Sequence, residues 1–381
     1  MIRENDGSGY WSSFIVEVGT PAQSARVLIS TASDETWVVI NLGCPDNYGK
    51  NCAFNRGYIF DVDNSTSWTN ISTFELDLEL NLDYDGNGLF GHDVVSLGYP
   101  LSGGPQLSNQ IVAGIAAPDF WLGIFGLDPA PSNFTNLNDP QPSFLWTLVN
   151  ESMIPSTTWG YTAGAYYSKF SASAEAGPAW LPQLSILTPA GYDKVQGSLT
   201  LGGYDTSRFG SKNLTFPMYE DVARRFIVEL QAITYLPTGV STVTTPTTLM
   251  SEKLSMYIDS TTSYIYLPTN ICEHFELAFG IQWDNVSEIY TINDTMHSLL
   301  RSTRPNITFS LSNTAGEILE FTLPYMSFDL SASIPVLPNG TNATNYFPLK
   351  RADNDTQYTL GRVFLQEACV IFPPFNIKSW T

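Results

Sequence analysis

Two segments in opposite halves of the chain place small polar side chains directly after a short apolar run. The apolar run 27–29 precedes Ser-Thr-Ala-Ser at 30–33, and the apolar run 256–258 precedes Asp-Ser-Thr-Thr-Ser at 259–263. A serine nucleophile needs a paired histidine. The histidines are His92, His274 and His297, and none lies in a sequence context typical of serine hydrolases, such as Gly-x-Ser-x-Gly. The sequence therefore disfavours a serine hydrolase at the first segment.

Residues 83–88 imitate the first half of a calcium-binding loop. They read Asp-x-Asp-x-Asn-Gly, but the twelfth position is Val94 where a bidentate glutamate is needed, and no predicted helices flank the loop. This pattern is better explained as the turn of a β-hairpin. The chain also has no glycine-rich phosphate loop or dinucleotide fingerprint. We therefore expect no metal site and no cofactor.

The charge balance excludes some classes of partner. The 381 residues include 17 Lys and Arg against 37 Asp and Glu, which gives a net charge of −20. A chain this acidic has no basic stripe for nucleic acid or an anionic membrane surface. No run of apolar residues is long enough to span a bilayer, and residues 1–9 contain no apolar signal segment. Membrane association is thus expected only through a segment outside this sequence.

Four cysteines are present, and none has the spacing of a zinc site. Cys44 and Cys52 are close enough to close a local loop, and Cys272 and Cys369 would then pair by elimination. The alternative is four buried thiols. A high density of glycosylation sequons favours the oxidised form, because both features belong to exported proteins.

The sequons number eleven, against about four expected by chance from the content of Asn, Ser and Thr. They lie at Asn64, Asn70, Asn133, Asn150, Asn213, Asn285, Asn293, Asn306, Asn339, Asn342 and Asn354. This excess predicts a glycoprotein of the secretory pathway, either extracellular or on the cell surface.

The periodicity of the chain predicts many short strands and few helices. Apolar and acidic residues alternate through 74–84, which predicts one long strand with a solvated acidic face and a second strand after the turn. Further strands are expected at 11–18, 24–30, 35–41, 198–202, 226–235, 255–259, 264–267 and 306–311. Helices are expected at 143–151, at 270–279 with Thr269 as N-cap, and at 294–301. Loops are expected at 171–191 and 237–250. The sequence therefore predicts an all-β fold.

The two polar segments belong to a weak internal repeat. Each is followed later by an apolar-apolar-Gly or similar element, at 124–126 and at 359–361. The two halves of the chain thus read as duplicated lobes.

Landmark blocks follow one another along nearly the whole chain. They are the Gly-Thr-Pro-Ala-Gln turn in 14–23, the strand, turn and strand of 28–39, the loop 44–52, the hairpin before 91–93, the Leu-Gly-Ile-Phe-Gly-Leu of 122–127, the Gly-Gly-Tyr-Asp of 197–205 and the Leu-Gly-Arg of 358–365. In this order they resemble the pepsin-like aspartic proteases, and the sequences of several blocks are most like those of filamentous-fungal members. The resemblance implies a bilobal double β-barrel with a cleft between the lobes 1–206 and 207–381.

The catalytic positions depart from that family. The resemblance implies two aspartates that share a proton, one from each lobe. Carried over by position, the first falls on Ser30 and the second on Asp259. The glycines of the two turns fall on Ala32 and Thr261, and the supporting hydroxyls remain as Thr31 and Ser260.

Two further positions bear on the cleft. An aspartate of the family falls on Arg362, which we expect to pair with Asp259 and hold it ionised. Tyr84 is either the tyrosine of a shortened flap hairpin or the last residue of the 74–84 strand. Its short interval to Gly91 favours the second.

A serine cannot replace the carboxylate that acts as base. The sequence therefore predicts an inactive protease relative that binds a peptide, a glycan or a secreted protein. The alternative is an aspartic-type endopeptidase with altered or residual activity centred on Asp259.

Overall fold

The protein is all-β and two-lobed, as expected. A computed structural model describes residues 2–136, 138–165, 167, 195–209, 213–219, 224–236, 245–337, 343–372 and 376–379. Within these residues the strands of the first half are β1 (Ile2–Asn5), β2 (Tyr10–Val18), β3 (Gln23–Ser30), β4 (Thr36–Val39), β5 (Thr69–Glu75), β6 (Asn87–Leu97), β7 (Gln106–Ile115), β8 (Gly123–Gly126), β9 (Trp159–Thr162) and β10 (Ser198–Leu201). Those of the second half are β11 (Asn213–Thr215), β12 (Ile227–Leu236), β13 (Thr247–Met250), β14 (Leu254–Ile258), β15 (Ile265–Pro268), β16 (Gln282–Asp284), β17 (Ile289–Thr291), β18 (Asn306–Ser312), β19 (Ile318–Pro324), β20 (Leu330–Ala332), β21 (Thr344–Phe347), β22 (Leu349–Ala352), β23 (Thr359–Leu360), β24 (Ala368–Phe372) and β25 (Asn376–Ser379).

The helices of the described residues are short. They are α1 (Cys52–Asn55), α2 (Phe144–Asn150), α3 (Thr269–Phe279) and α4 (Asp294–Thr303). The last three confirm the expected helices, with one difference at the start of α3. Its cap position is Pro268, and Thr269 is already helical. Gly280 ends this helix in the left-handed conformation that glycine adopts without strain.

Each lobe is built on one large sheet. The sheet of the first lobe has the order β1-β2-β3-β8-β4-β7-β6-β5, and an extra pairing of β2 with β6 curls it toward a barrel. The sheet of the second lobe has the order β19-β18-β12-β14-β23-β15-β22, with β13 paired to β12. A third sheet, β10-β9-β24-β25-β11, takes strands from both halves of the chain and so ties the lobes together. The boundary between 206 and 207 stays a prediction.

The segment 74–84 is not the long strand that its alternation predicts. Strand β5 ends at Glu75, and Asp77, Glu79 and Asp83 adopt left-handed backbone angles with φ of 46°, 59° and 61°. The apolar residues of this segment are buried in two separate clusters. Leu76 packs with the first lobe, and Leu82 packs with tyrosines of the second. The apolar residues of the alternation are therefore buried against two different lobes, whereas a single strand would bury them on one face.

One of the two expected disulfides is present. Cys44 and Cys52 are bonded, which confirms the local loop. The pairing of Cys272 with Cys369 is wrong, since both are buried and neither is in a disulfide. Cys272 lies on α3 and donates to the Leu267 carbonyl, while Cys369 lies on β24 in the sheet that joins the lobes. Because the helix and the strand that carry these cysteines are separate, pairing them by elimination gave a wrong prediction.

Candidate functional site

The two polar segments lie at matching positions of the two lobes. In the first lobe β3 runs parallel to β8, and in the second β14 runs parallel to β23. The chain leaves β3 and β14, turns, and returns on the other side of the central strand as β4 and β15. This arrangement confirms the predicted repeat. It holds Ser30 and Asp259 at the ends of equivalent strands, where the lobes meet.

Reciprocal hydrogen bonds hold the two turns together. The Thr31 amide donates to Ser260 Oγ at 3.0 Å, and the Ser260 amide donates to Thr31 Oγ1 at 3.0 Å. Ser260 Oγ also donates to the Ile29 carbonyl at 2.7 Å. All of these groups are buried, so each bond contributes more than a solvent-exposed one would. The hydroxyls that were expected to support the site are thus brought together across the lobes.

Ser30 is fully buried and its hydroxyl is used completely. Ser30 Oγ accepts from the amides of Ala32 and Ser33 at 3.2 and 3.0 Å. It lies 2.7 Å from Thr261 Oγ1. Because a hydroxyl has one hydrogen and two acceptor positions, the Ser30 hydrogen goes to Thr261. A hydroxyl–hydroxyl bond therefore joins the two turns at Ser30.

Asp259 is also fully buried, and it interacts with an acid that sequence reasoning missed, Glu79. Oδ1 of Asp259 accepts from the Thr261 amide at 2.8 Å, while the buried Oδ2 accepts from no N–H or hydroxyl of the described residues. The carboxyl of Glu79 is hydrogen-bonded to Asp259. Burial raises the pKa of Glu79 well above its usual range, and the charge and hydrogen bond of Asp259 raise it further. Glu79 therefore favours its protonated form beside Asp259.

Glu79 reaches Asp259 because residues 76–86, which we call the closing hairpin, fold across to the second lobe. Asn81 Nδ2 donates to the Thr356 carbonyl at 2.6 Å, and Gln357 Nε2 donates to the Asn81 carbonyl at 2.7 Å. Leu82 packs with Tyr264 and other tyrosines there. The closing hairpin thus covers Asp259, and Glu79 is only 7% exposed.

The structure corrects the interpretation of Tyr84. It lies outside any strand, and its ring contacts Phe120 with centroids 5.5 Å apart. Burial raises the pKa of Tyr84 to about 12, and its hydroxyl shares hydrogen bonds with Thr262 and Tyr266. Tyr84 therefore belongs to the hairpin over the cleft. Interpreting the segment around Tyr84 as a hairpin over the cleft would also have placed Glu79 near Asp259.

Arg362 does not hold Asp259 ionised in the way expected. Its guanidinium donates to the carbonyls of Ser260 and Thr261 at 2.9 and 2.7 Å and forms an ion pair with Asp6. The N-terminal segment thus supplies the counter-charge, and Arg362 instead fixes the backbone of the turn that follows Asp259.

A second pair of acids lies beyond the first turn. Burial is the main reason that the pKa of Asp34 is raised to about 6 and that of Glu35 to about 8. The charge of Asp128 raises the first pKa further, and the charge of Asp34 raises the second. Glu35 accepts from Trp37 Nε1 at 2.7 Å, and Asp34 accepts from Ser132 Oγ at 3.0 Å. Each turn is therefore next to a buried acid that favours its protonated form.

A cavity of about 880 Å³ lies between the lobes beside the two turns. Its walls include Leu82 and Tyr84 of the closing hairpin, Trp121 of the first lobe, and Tyr264 and Trp283 of the second. Ser30, Glu79 and Asp259 are not among the described residues that line it. The space for a ligand is thus adjacent to the carboxyl pair and separated from it.

Comparison with known proteins supports the resemblance. A model of the family described as eukaryotic aspartyl protease matches residues 186–378, about half of the chain. The chain belongs to this family. It is 24% identical to secreted aspartic protease 8 of Candida albicans, an alignment that covers 97% of this chain and 74% of the relative.

Two other fungal relatives are similar at the same level. Candidapepsin of Candida tropicalis is 24% identical over 76% of this chain and 62% of its own length. A probable aspartic-type endopeptidase, opsB of Aspergillus fumigatus, is 22% identical over 95% of this chain and 66% of its own length. The fungal character of the sequence is thus consistent with its relatives, and identity this low carries over no residue roles by itself.

The remaining sequence predictions have mixed outcomes. The sequon asparagines with exposed side chains are Asn64, Asn70, Asn133, Asn150, Asn285, Asn293 and Asn354. Asn306 is half-buried, the side chain of Asn213 is outside the described part, and Asn339 and Asn342 lie in an undescribed stretch. Glycosylation stays a prediction. Within the described ranges no helix is long and apolar enough to cross a membrane, and no group of His, Cys, Asp and Glu has the geometry to hold a metal ion.

Proposed function

We propose that this chain is an extracellular member of the family whose cavity binds a peptide without cleaving it. The observation that carries the proposal is the hydrogen bond between Ser30 and Thr261. It occupies the place where the family's chemistry needs a second carboxylate beside Asp259. Export is supported by the relatives that are named as secreted and by the excess of sequons.

The chemistry of the two turns supports binding over cleavage. A neutral hydroxyl that is fully used in hydrogen bonds, as in Ser30, has no capacity to take a proton from water. Loss of one partner in general acid–base catalysis costs about 10²–10⁴ in rate. The side chains of Ala32 and Thr261 add bulk where the family has glycine. A peptide bound at this site would therefore dissociate intact before it is cleaved.

The cavity supports a peptide as the class of ligand. Its volume of about 880 Å³ is within the range of about 300–1,000 Å³ typical of ligand sites. Its lining combines aromatic rings with hydroxyl and charged groups, which suits side chains of mixed type. A glycan or a folded secreted protein are the other outcomes of the test.

The test combines retention and cleavage. The immobilised protein is incubated with a diverse peptide library from pH 3 to 7, and both bound and cleaved peptides are identified by mass spectrometry. We expect retained peptides that remain intact. The control is Asp259→Ala, which should retain the same peptides. Ser30→Asp with Ala32→Gly and Thr261→Gly restores the family's residues and should convert retained peptides into cleaved ones.

Two results would contradict the proposal. Retention of no peptide at any pH would exclude peptide binding and direct the search to glycans and secreted proteins. Cleavage by the unmodified protein that disappears in Asp259→Ala would show an active peptidase.

One observation favours such a second function, an endopeptidase of altered mechanism. Glu79 places a carboxyl beside Asp259, so two carboxyl groups with one shared proton exist even without an aspartate at position 30. They would act only after the closing hairpin moves, since neither lines the cavity. Cleavage abolished by both Asp259→Asn and Glu79→Gln, and unaffected by Ser30→Ala, would establish this function.

A further inference from the structure

Lys350 projects a positive charge into the cavity from the second lobe. It lies on β22 and lines the cavity, and its ammonium is 5.1 Å from the centroid of the Tyr264 ring. Its backbone is bonded in the sheet and its carbonyl accepts from Cys272 Sγ, whereas its ammonium forms no hydrogen bond or ion pair with a described residue. The aromatic ring stabilises the cation from one side only, so its hydrogen-bonding capacity is directed at the cavity.

The other basic groups in the cavity wall are already neutralised. Arg351 Nη2 forms an ion pair with Glu276 at 2.8 Å, and its Nε donates to the Tyr290 hydroxyl at 2.8 Å. Arg362 pairs with Asp6. Among the described residues that line the cavity, Lys350 is therefore the basic group whose side chain is in no ion pair. Glu288 also lines the cavity and acts on Lys350 through its charge, without an ion-pair contact.

The electrostatics of Lys350 fit a site that awaits an anion. Burial lowers the pKa of Lys350 to about 8, although the charge of Glu288 acts in the opposite direction. The lysine is thus still protonated in neutral and acidic solution. A desolvated cation whose counter-charge makes no direct contact is costly, and an anionic ligand in contact with it would lower that cost.

The opposite wall of the cavity fixes the orientation of such a ligand. Asp83 and Asp119 line the cavity from the first lobe and would repel a negative group placed near them. Next to Lys350, Tyr264 and Trp283 offer apolar surface. A ligand with a carboxylate next to an apolar group therefore fits at the second-lobe end.

We propose that Lys350 binds a carboxylate of the ligand, so that the cavity selects peptides with an acidic side chain or a free C-terminus at this position. The inference rests on the proposed function for the peptide itself. The site for a carboxylate is defined by Lys350 alone and can be tested without a peptide.

The experiment uses a matched pair of small probes, 3-phenylpropanoate and its neutral amide, at pH 6. Binding of each to the whole protein is measured by ligand-observed NMR titration. We expect the carboxylate to bind at least tenfold more tightly than the amide. Lys350→Met and Lys350→Gln should abolish this difference, and Lys350→Arg should retain most of it. Two substitutions at position 350 guard against a variant that fails to fold.

The matched control is Lys253→Met, because Lys253 is exposed and does not line the cavity. It should leave the tenfold difference unchanged. Equal affinities for the two probes, or a preference that survives Lys350→Met, would overturn the inference. These results do not depend on whether library peptides are retained. The retention of library peptides tests the proposed function separately.

The source of the carboxylate is decided by retained or designed peptides. Peptides with a C-terminal amide are compared with Glu and Gln at each position in turn. A tenfold preference for Glu at one position identifies an acidic side chain, and a preference that appears only with a free C-terminus identifies the main-chain carboxylate. In either case the preference should disappear in Lys350→Met.

Discussion

The turns after β3 and β14 have the same backbone and opposite chemistry. Both have a glycine on the neighbouring strand, Gly126 and Gly361, that approaches the carbonyl oxygens of the turn. In the first turn Ser30 is neutral and its hydroxyl is fully used. In the second, Asp259 keeps a buried oxygen without an N–H or hydroxyl donor and lies beside the acid Glu79.

This difference shows which features the fold needs and which the chemistry needs. The reciprocal bonds of Thr31 and Ser260 hold the lobes in register and do not depend on the residue at position 30. The Asp259 carboxylate takes no part in these reciprocal bonds. The framework is therefore compatible with a hydroxyl at position 30 and a carboxylate at position 259.

The largest effect is expected where the two turns are most alike. A Cβ added at Gly126 would lie 2.3 Å from the Ser33 carbonyl oxygen, and one at Gly361 would lie 2.3 Å from that of Tyr264. Both neighbours are backbone atoms, which cannot move aside cheaply. Gly126→Ala and Gly361→Ala should each lower the free energy of unfolding by about 3 kcal/mol or more, measured by urea denaturation.

The control for this prediction is Gly203→Ala. A Cβ there meets nothing within 4 Å, so the change should be neutral or slightly stabilising. If one turn tolerated alanine and the other did not, the turns would differ in their backbone as well as their chemistry, and the comparison would fail.

The next effect tests the bonds between the turns. Ser260→Ala removes the donor to Ile29 and the acceptor of the Thr31 amide, whereas Thr31→Ala removes only the acceptor of the Ser260 amide. Each unsatisfied buried group costs about 1–3 kcal/mol. We therefore expect Ser260→Ala to destabilise the protein by about 2–4 kcal/mol and Thr31→Ala by about 1–3 kcal/mol in the same denaturation assay.

Thr31→Ser and Ser260→Thr keep the hydroxyls and serve as controls, with smaller losses expected. A double variant, Thr31→Ala with Ser260→Ala, should cost less than the sum of the two single changes, because the groups are partners. Simple additivity would mean that the reciprocal bonds do not act as a unit.

The framework of the site was predictable from the sequence, and the decisive contact was not. The strands that lead into the turns, β3 and β14, were recognised from short apolar runs, because burial on both faces selects such runs. Thr31 and Ser260 were placed by the resemblance to the aspartic proteases. These features depend on local sequence and on the duplication.

The role of Glu79, and the fact that neither Cys272 nor Cys369 is in a disulfide, depend on contacts between distant elements, which the sequence does not show. The alternation around Glu79 fits a strand as well as it fits a hairpin whose apolar residues enter two clusters. Only the position of the second lobe distinguishes the two. In the same way, four cysteines permit a second disulfide, and only the separation of α3 from β24 excludes it.

The smallest effect concerns the acid beside each turn and depends on pH. The pKa of Glu79 is raised in the folded protein, so folding takes up a proton that the unfolded chain releases above about pH 4.3. The stability contributed by protonated Glu79 is therefore fully present below that pH and is lost as pH rises through the raised pKa. Charges facing Glu79 include Asp259, which raises the pKa, and Arg224, which lowers it.

Glu79→Gln removes this titration and keeps a donor for Asp259. The variant should be about 1–2 kcal/mol more stable than the unmodified protein at pH 7 and should lose the advantage near pH 4. Thermal and urea denaturation across this range measure both. Glu252→Gln, at an exposed position, should change neither value. A Glu79→Gln variant with an unchanged pH profile would show that Glu79 holds no extra proton.

The corresponding change at the first turn is Glu35→Gln. It removes a buried acid that does not cover Asp259, so it separates the effect of protonation from the effect of covering Asp259. Burial raises the pKa of Glu35 to about 8, so this variant should also flatten the fall of stability above pH 4.3. Glu35 lies outside the closing hairpin. The protection of the amides in 76–86, corrected for the intrinsic exchange rate, should therefore depend on pH in Glu35→Gln as it does in the unmodified protein, and lose that dependence only in Glu79→Gln. If both variants altered the exchange equally, the two acids would act through global stability, and the closing hairpin would not be held by its own carboxyl pair.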